Sequence, residues 1–159
     1  MNMRVVIAFI FVIAATTIGI GQAAEPAADF AIRLDHKGCH YEYLDTFKGT
    51  YSHIGATSPV EFSLSAEARR AIYAAVVAAR FFDLPRATSA ATNEPADNYE
   101  IEVRNGGRQH AVSYVAGSGV DSPVWVVHGV VFQILETHPD VLRLPRRGDG
   151  CQGGPPKTR

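Results

Sequence analysis

Apolar and polar residues alternate along several short stretches of the chain, the period of a strand with one buried face. Phe30, Ile32 and Leu34 alternate with Ala31, Arg33 and Asp35. Cys39, Tyr41 and Tyr43 alternate with His40, Glu42 and Leu44, and the chain is extended again beyond Lys48-Gly49. Residues 39–47 and 50–54 therefore read as a hairpin. Val60, Phe62 and Leu64 mark another strand after Ser58-Pro59. In the clearest pair, Tyr99, Ile101 and Val103 are followed, across Asn105-Gly106-Gly107, by His110, Val112 and Tyr114. Asn-Gly supplies the positive φ angles that a tight hairpin turn requires.

Two stretches change period. Ala68, Ile72, Ala75, Val76 and Ala79 lie at 3–4 spacing behind Ser65, an N-cap residue, and Glu67, which suits the helix dipole. Phe81, Phe82 and Leu84 close this helix onto the core before Pro85 stops it. Ser122-Pro123 opens a second helix carrying Val124, Val127, His128, Val131, Ile134 and Leu135. Its β-branched content suits a buried strand as well; its length decides for helix.

The order is strands, helix, hairpin, helix. It predicts an α+β fold: a single antiparallel sheet of about 4–6 strands with two helices packed on one face. Before this domain lie Arg4, an apolar run over residues 5–20 and the small-residue box Gly21-Gln22-Ala23-Ala24, the layout of a secretory signal. The run is shorter than the ~20 residues of a spanning helix. Cleavage after Ala23 or Ala24 is expected, leaving no stable membrane anchor. The chain then divides into a leader (1–24), one α+β domain (25–145) and a basic Gly/Pro-rich tail (146–159), with a periplasmic or secreted destination.

Fifteen Lys and Arg stand against sixteen Asp and Glu, and losing Arg4 with the leader moves the balance one charge further to the acidic side. Nucleic-acid binding, which calls for a strongly basic face, is not expected.

The mature region resembles a family of small exported bacterial proteins of unknown function with a Cys-x-Gly-x-Cys-Pro-x-Tyr start, a helix ending in Phe-Phe-x-Leu and a Pro-led final helix. The resemblance rests on Gly38-Cys39-His40-Tyr41, Lys48-Gly49, Ser65 through Phe81-Phe82-Asp83-Leu84, Asp97 through Gly107, and Ser122-Pro123. Asp35 stands where the family has its first cysteine, and His40 replaces the proline. The resemblance implies export and fold, with no activity attached. The local disulfide partner that it would imply is missing, which leaves Cys39 and Cys151, the only two cysteines. An even count in an oxidising compartment points to their pairing, although pairing between two molecules satisfies the same count.

Asp35, His36, Cys39 and His40 bring four metal-ligand types into six residues. A strand sends successive side chains to opposite faces, and polar hairpin loops of this composition are common. No Gly-x-Ser-x-Gly elbow or Cys-x-x-Cys pair is present, and Glu100 and Glu102 beside Arg104 read as a solvated strand face. Tyr41, Tyr43, Tyr51, Tyr99 and Tyr114 all fall on expected strands and form a candidate recognition face, set against the plainer reading of half-buried sheet residues. No cofactor is expected. The sequence therefore suggests a non-enzymatic binding or interaction module of the bacterial cell envelope, with an envelope protein or small ligand as partner. The alternative is a hydrolase or metal-dependent enzyme centred on the Asp35–His40 loop.

Overall fold

The computed structural model describes residues 25–37, 41–87, 98–115 and 122–145. Its strands are β1 (Ala31–Lys37), β2 (Glu42–Asp45), β3 (Thr50–His53), β4 (Val60–Glu61), β5 (Asn98–Asn105) and β6 (Arg108–Val115). Its helices are α1 (Ala66–Ala78), α2 (Val124–Thr137) and the single turn α3 (Pro139–Leu142). The strands form one six-stranded sheet in the order β4-β3-β2-β1-β5-β6, with every pair antiparallel. The helices cover one face, as the sequence predicts. The chain first meanders outward from β1 to β4. It then returns through α1 to lay β5 against the free side of β1, so the first strand ends up inside the sheet.

One register row organises the core. Tyr51, Leu44, Leu34, Ile101 and Val112 sit side by side across five strands, each 0–1 % exposed. Ile72, Ala75 and Val76 of α1, with Val124, Val127, Val131 and Leu135 of α2, close over that face. Burial of this kind is worth about 1.5–3 kcal/mol per large aliphatic side chain.

The row corrects the reading of the first hairpin. Strand β2 covers only Glu42–Asp45, and its inward residues are Glu42 and Leu44, not Tyr41 and Tyr43. Leu44 is the side chain that completes the apolar row between Leu34 and Tyr51. With a period of two, placing Leu44 inward carries Glu42 inward and Tyr43 outward.

The helices differ from expectation mainly at their ends. Ser65 caps α1 as predicted, its Oγ accepting from the Ala68 amide at 3.1 Å. The helix stops at Ala78, several residues short of Leu84. Arg80 adopts a left-handed conformation (φ +48°), and a 3-10 turn over Phe81–Asp83 drops Phe81 into the core at 0 % exposure. A continuing helix would not aim that ring at His110, its edge-on neighbour at 5.8 Å. Beyond the turn the chain runs beside β6. The Arg86 carbonyl accepts from the Ser113 amide at 2.7 Å, and His110 Nε2 donates to the Leu84 carbonyl at 2.8 Å. This covers part of an edge strand that would otherwise offer bare backbone groups. At the start of α2, Pro123 takes the cap position and no side chain, that of Ser122 included, caps the helix.

The tight β5–β6 hairpin foreseen at Asn105-Gly106 is present, but shifted by one residue: its two turn residues are Gly106 and Gly107, and Asn105 ends β5. Asn105 pairs with Arg108, and Gly106 and Gly107 both have positive φ (+58° and +75°). The lead-in segment, which has no pattern of its own, is pinned to this turn. Asp29 accepts from the Gly106 and Gly107 amides at 2.7 and 3.0 Å, and Asn105 Oδ1 accepts from the Ala27 amide at 2.8 Å. Those two amide bonds hold the Asp29 carboxyl below the ordinary aspartate range.

The disulfide expected between Cys39 and Cys151 is corrected: no disulfide is present among the described residues, and both cysteines lie outside them. A disulfide requires Cα atoms within about 7 Å. The described residues that flank Cys39, Lys37 and Tyr41, belong to the junction of β1 and β2, two inner strands. The last described residues before Cys151 follow α3. His138, which opens α3, is seated on the Phe62 ring (4.3 Å) and the Ser63 carbonyl (3.2 Å), beside the β2–β3 turn at the opposite end of the strands.

Gly106→Val places a β-branched residue at positive φ and is expected to cost about 1–3 kcal/mol. Urea denaturation of the variant against the parent chain measures this; an unchanged midpoint would contradict the turn.

Candidate functional site

A second register row lies beside the apolar one, toward the β1–β2 connection, and its chemistry is different. His53, Glu42, His36, Tyr99 and Tyr114 follow one another across β3, β2, β1, β5 and β6, all on the helix-covered face. Glu42 is 2 % exposed and accepts from the Tyr51 hydroxyl at 2.5 Å, so the carboxylate drawn in by Leu44 meets a donor inside. His53 Nδ1 lies 2.6 Å from the Ile54 carbonyl, so that nitrogen carries the proton and donates. His36 stacks on Tyr99 (4.1 Å between centroids), and Tyr99 stacks on Tyr114 (5.2 Å).

Helix α2 closes this row with Trp125 and His128. Trp125 meets Tyr99 and Tyr114 edge-on at 5.7 and 5.0 Å. His128 is ringed by Tyr99, Tyr114, Trp125 and Phe132 at 4.5–5.9 Å. The Tyr114 hydroxyl, Trp125 Nε1 and His128 Nε2 are buried, and none has a hydrogen-bond partner among the described residues. Burial, reinforced by the nearby His36, brings the His128 imidazole down to about 4, and burial with Tyr99 beside it pushes the Tyr114 phenol up.

The helix-free face is built of ion pairs. Arg33 reaches Glu102 and, at 3.6 Å, Glu100, and Gln109 donates to the same Glu102 carboxylate. Lys37 pairs with Asp35 at 3.2 Å. Tyr43 donates to Asp45 at 2.9 Å, while Asp45 also accepts from the Phe47 and Lys48 amides and so braces the β2–β3 turn. Asp35 and Glu100 are directly opposed across β1 and β5. Like charges in that position destabilise a sheet, and Lys37 and Arg33 offset them. A cleft of about 220 Å³ opens here, its lining including the polar residues Asp35, Lys37, Glu100 and Ser113 together with Tyr99 and Val115.

The five tyrosines singled out in the sequence do not share a face. Tyr51 and Tyr114 are buried under the helices at 0 % and 2 % exposure, and Tyr99 joins them there. Tyr43 lies on the helix-free face, and Tyr41, 40 % exposed, precedes β2. The reason is the parity fixed by Leu44 on β2 and by Ile101 and Val112 on the other hairpin.

The Asp35–His40 loop is divided as well. His36 faces the helices and Asp35 the opposite side, while Cys39 and His40 lie outside the described residues. Among the described residues no three His, Cys, Asp or Glu side chains are grouped to hold a metal ion. Glu100 and Glu102 do share the helix-free face, but only Glu100 is solvated; Glu102 is buried at 8 % exposure, and Arg33, rather than Arg104, is their cation. Arg104 instead packs over Phe47 and bonds the Asp29 carbonyl. The His53–Glu42–His36 alignment was not foreseen. Its signal is present only once Leu44 is assigned inward.

Tyr51→Phe removes the buried donor to Glu42 and is expected to destabilise the domain by about 1–3 kcal/mol. Chemical denaturation is the check, and equal stability would show that the bond does not hold the row together.

Comparison with family models, with curated proteins and with solved structures returns no match for this chain.

Proposed function

We propose that this chain is an exported, non-enzymatic binding module of the bacterial cell envelope, and that the helix-free face of its sheet is the binding surface. The observation that carries the reading is the one-sided covering of the sheet. The helices bury the apolar row, and the opposite face presents an ordered ion-pair network around the Asp35–Glu100 cleft. Side chains on strands are held more firmly than side chains on loops, which suits recognition without chemistry. The divergence of Asp35 and His36 across the sheet counts against a reaction centre in the β1–β2 connection. Export rests on the Arg4, 5–20 and Gly21/Ala23 pattern of the leader. No helix among the described residues is long and apolar enough to cross a membrane. The partner suited to this face is an envelope protein segment or small ligand of polar, charged character.

Two outcomes are expected. Exported protein should begin at Ala24 or Glu25 by N-terminal sequencing; recovery of membrane-bound material beginning at Met1 would contradict cleavage. A photo-crosslinking residue placed at Ser113, exposed beside the cleft, should give a discrete adduct in the native envelope that excess unlabelled protein competes away. The same residue at Val77, exposed on α1, should give none. Adducts from Val77 with none from Ser113 would assign binding to the other side of the molecule.

A further inference from the structure

Both halves of α2 contribute to the apolar core, Val124 and Val127 at one end and Val131 and Leu135 at the other, and they differ in what lies beside it. Toward its C-terminus, Val131 and Leu135 join the apolar core, and His138 beyond the helix is seated on Phe62. Toward its N-terminus, beside Val124 and Val127, the helix presses Trp125 and His128 onto the row of aromatic and titratable side chains. His128 is 8 % exposed, and its Nε2 has no hydrogen-bond partner among the described residues.

The groups facing this imidazole include no carboxylate, and what they offer a positive charge is the attraction of aromatic rings. Tyr99 of β5 and Tyr114 of β6 present ring faces and edges, and Trp125 and Phe132 of α2 itself do the same. From β1 the neighbour is His36, a second imidazole whose own protonation would repel the first. The carboxylate of the row, Glu42 on β2, lies beyond His36 and already takes the Tyr51 hydroxyl; His53 lies further out on β3. An imidazolium at His128 would be largely buried, with no carboxylate partner and an Nε2 that has no acceptor among the described residues, a cost that moving the group into water relieves.

We propose that His128 is an acid-operated latch, whose protonation loosens the N-terminal half of α2 from the sheet while the C-terminal half stays anchored. The sign follows from linkage. Closed, the imidazole titrates at about 4; released into water, it regains a value near 6.5. The closed form is therefore fully favoured above about pH 6.5 and loses ground as pH falls toward 4, by up to roughly 300-fold in the closing equilibrium. The latch is independent of which partner the opposite face binds. Its consequence is that an exported protein meeting acid uncovers Tyr99, Tyr114 and the histidine row.

Native-state amide exchange, corrected for intrinsic rates, reads this opening even where the open form is rare. Between pH 8 and pH 5, protection of the α2 amides around Val127–Val131 is expected to fall roughly 30-fold more than that of the β5 amides. Emission from Trp125, the only tryptophan, should follow to the extent that acid populates the open form. His128→Phe, with His36 and His53 retained, should flatten both profiles. Parallel loss of protection in α2 and β5, or an unchanged pH profile in His128→Phe, would overturn the latch. Should that variant not fold, proton NMR titration of wild-type His128 decides instead: titration near 6.5 in the folded protein would overturn it, and titration well below would support it.

Discussion

Everything in this fold depends on one parity, that of Leu44. A strand sends alternate side chains to opposite faces, so the apolar row of Tyr51, Leu44, Leu34, Ile101 and Val112 sets which residue of every neighbouring pair goes inside. Once that row is buried under α1 and α2, the next inward positions follow without further choice. They are His53, Glu42, His36, Tyr99 and Tyr114, and the structure accommodates them with a buried Tyr51–Glu42 bond, stacked rings and a capping histidine on α2. The same parity sends Arg33, Asp35, Tyr43, Glu100 and Glu102 to the helix-free side. The two faces of the sheet are thus consequences of a single packing requirement.

Features that are local in sequence were legible. The Gly106-Gly107 turn declares itself because only glycine adopts its two positive φ angles at no steric cost. Helix α1 declares itself through its apolar spacing and the Ser65 cap, and the strand–helix order gave the one-sided sheet. Features decided by distant partners were not legible. In residues 39–44, Cys39, Tyr41 and Tyr43 are as plausible an inward set as Glu42 and Leu44, and nothing in that stretch alone decides between them. The decision comes from Leu34, on the neighbouring strand, and from Tyr51. Likewise, the early end of α1 is set by where the Phe81 ring must go, and the lead-in is fixed by Asp29 reaching amides more than seventy residues away. The candidate site suffered most, because its row is made of one residue from each of five strands.

The arrangement separates two kinds of work. On the helix-free face, charges are paired on strands, with Asp35 and Glu100 at the surface and Glu102 largely covered, an arrangement that suits the recognition proposed for it. Under α2, hydrogen-bonding atoms of Tyr114, Trp125 and His128 are buried among rings, which ties the seating of one helix end to the protonation of a single side chain. A buried unsatisfied polar group costs on the order of 1–3 kcal/mol, so this end of the helix is held less firmly than its burial alone suggests.

The parity of β2 is tested most directly by tyrosine footprinting of the native protein, with peptide-level mass spectrometry resolving each position. The account predicts that Tyr41 and Tyr43 are modified readily at neutral pH, while Tyr51 and Tyr114 stay protected until the domain unfolds. Protection of Tyr43 together with ready modification of Tyr51 would place the opposite parity inside and contradict the account at its root.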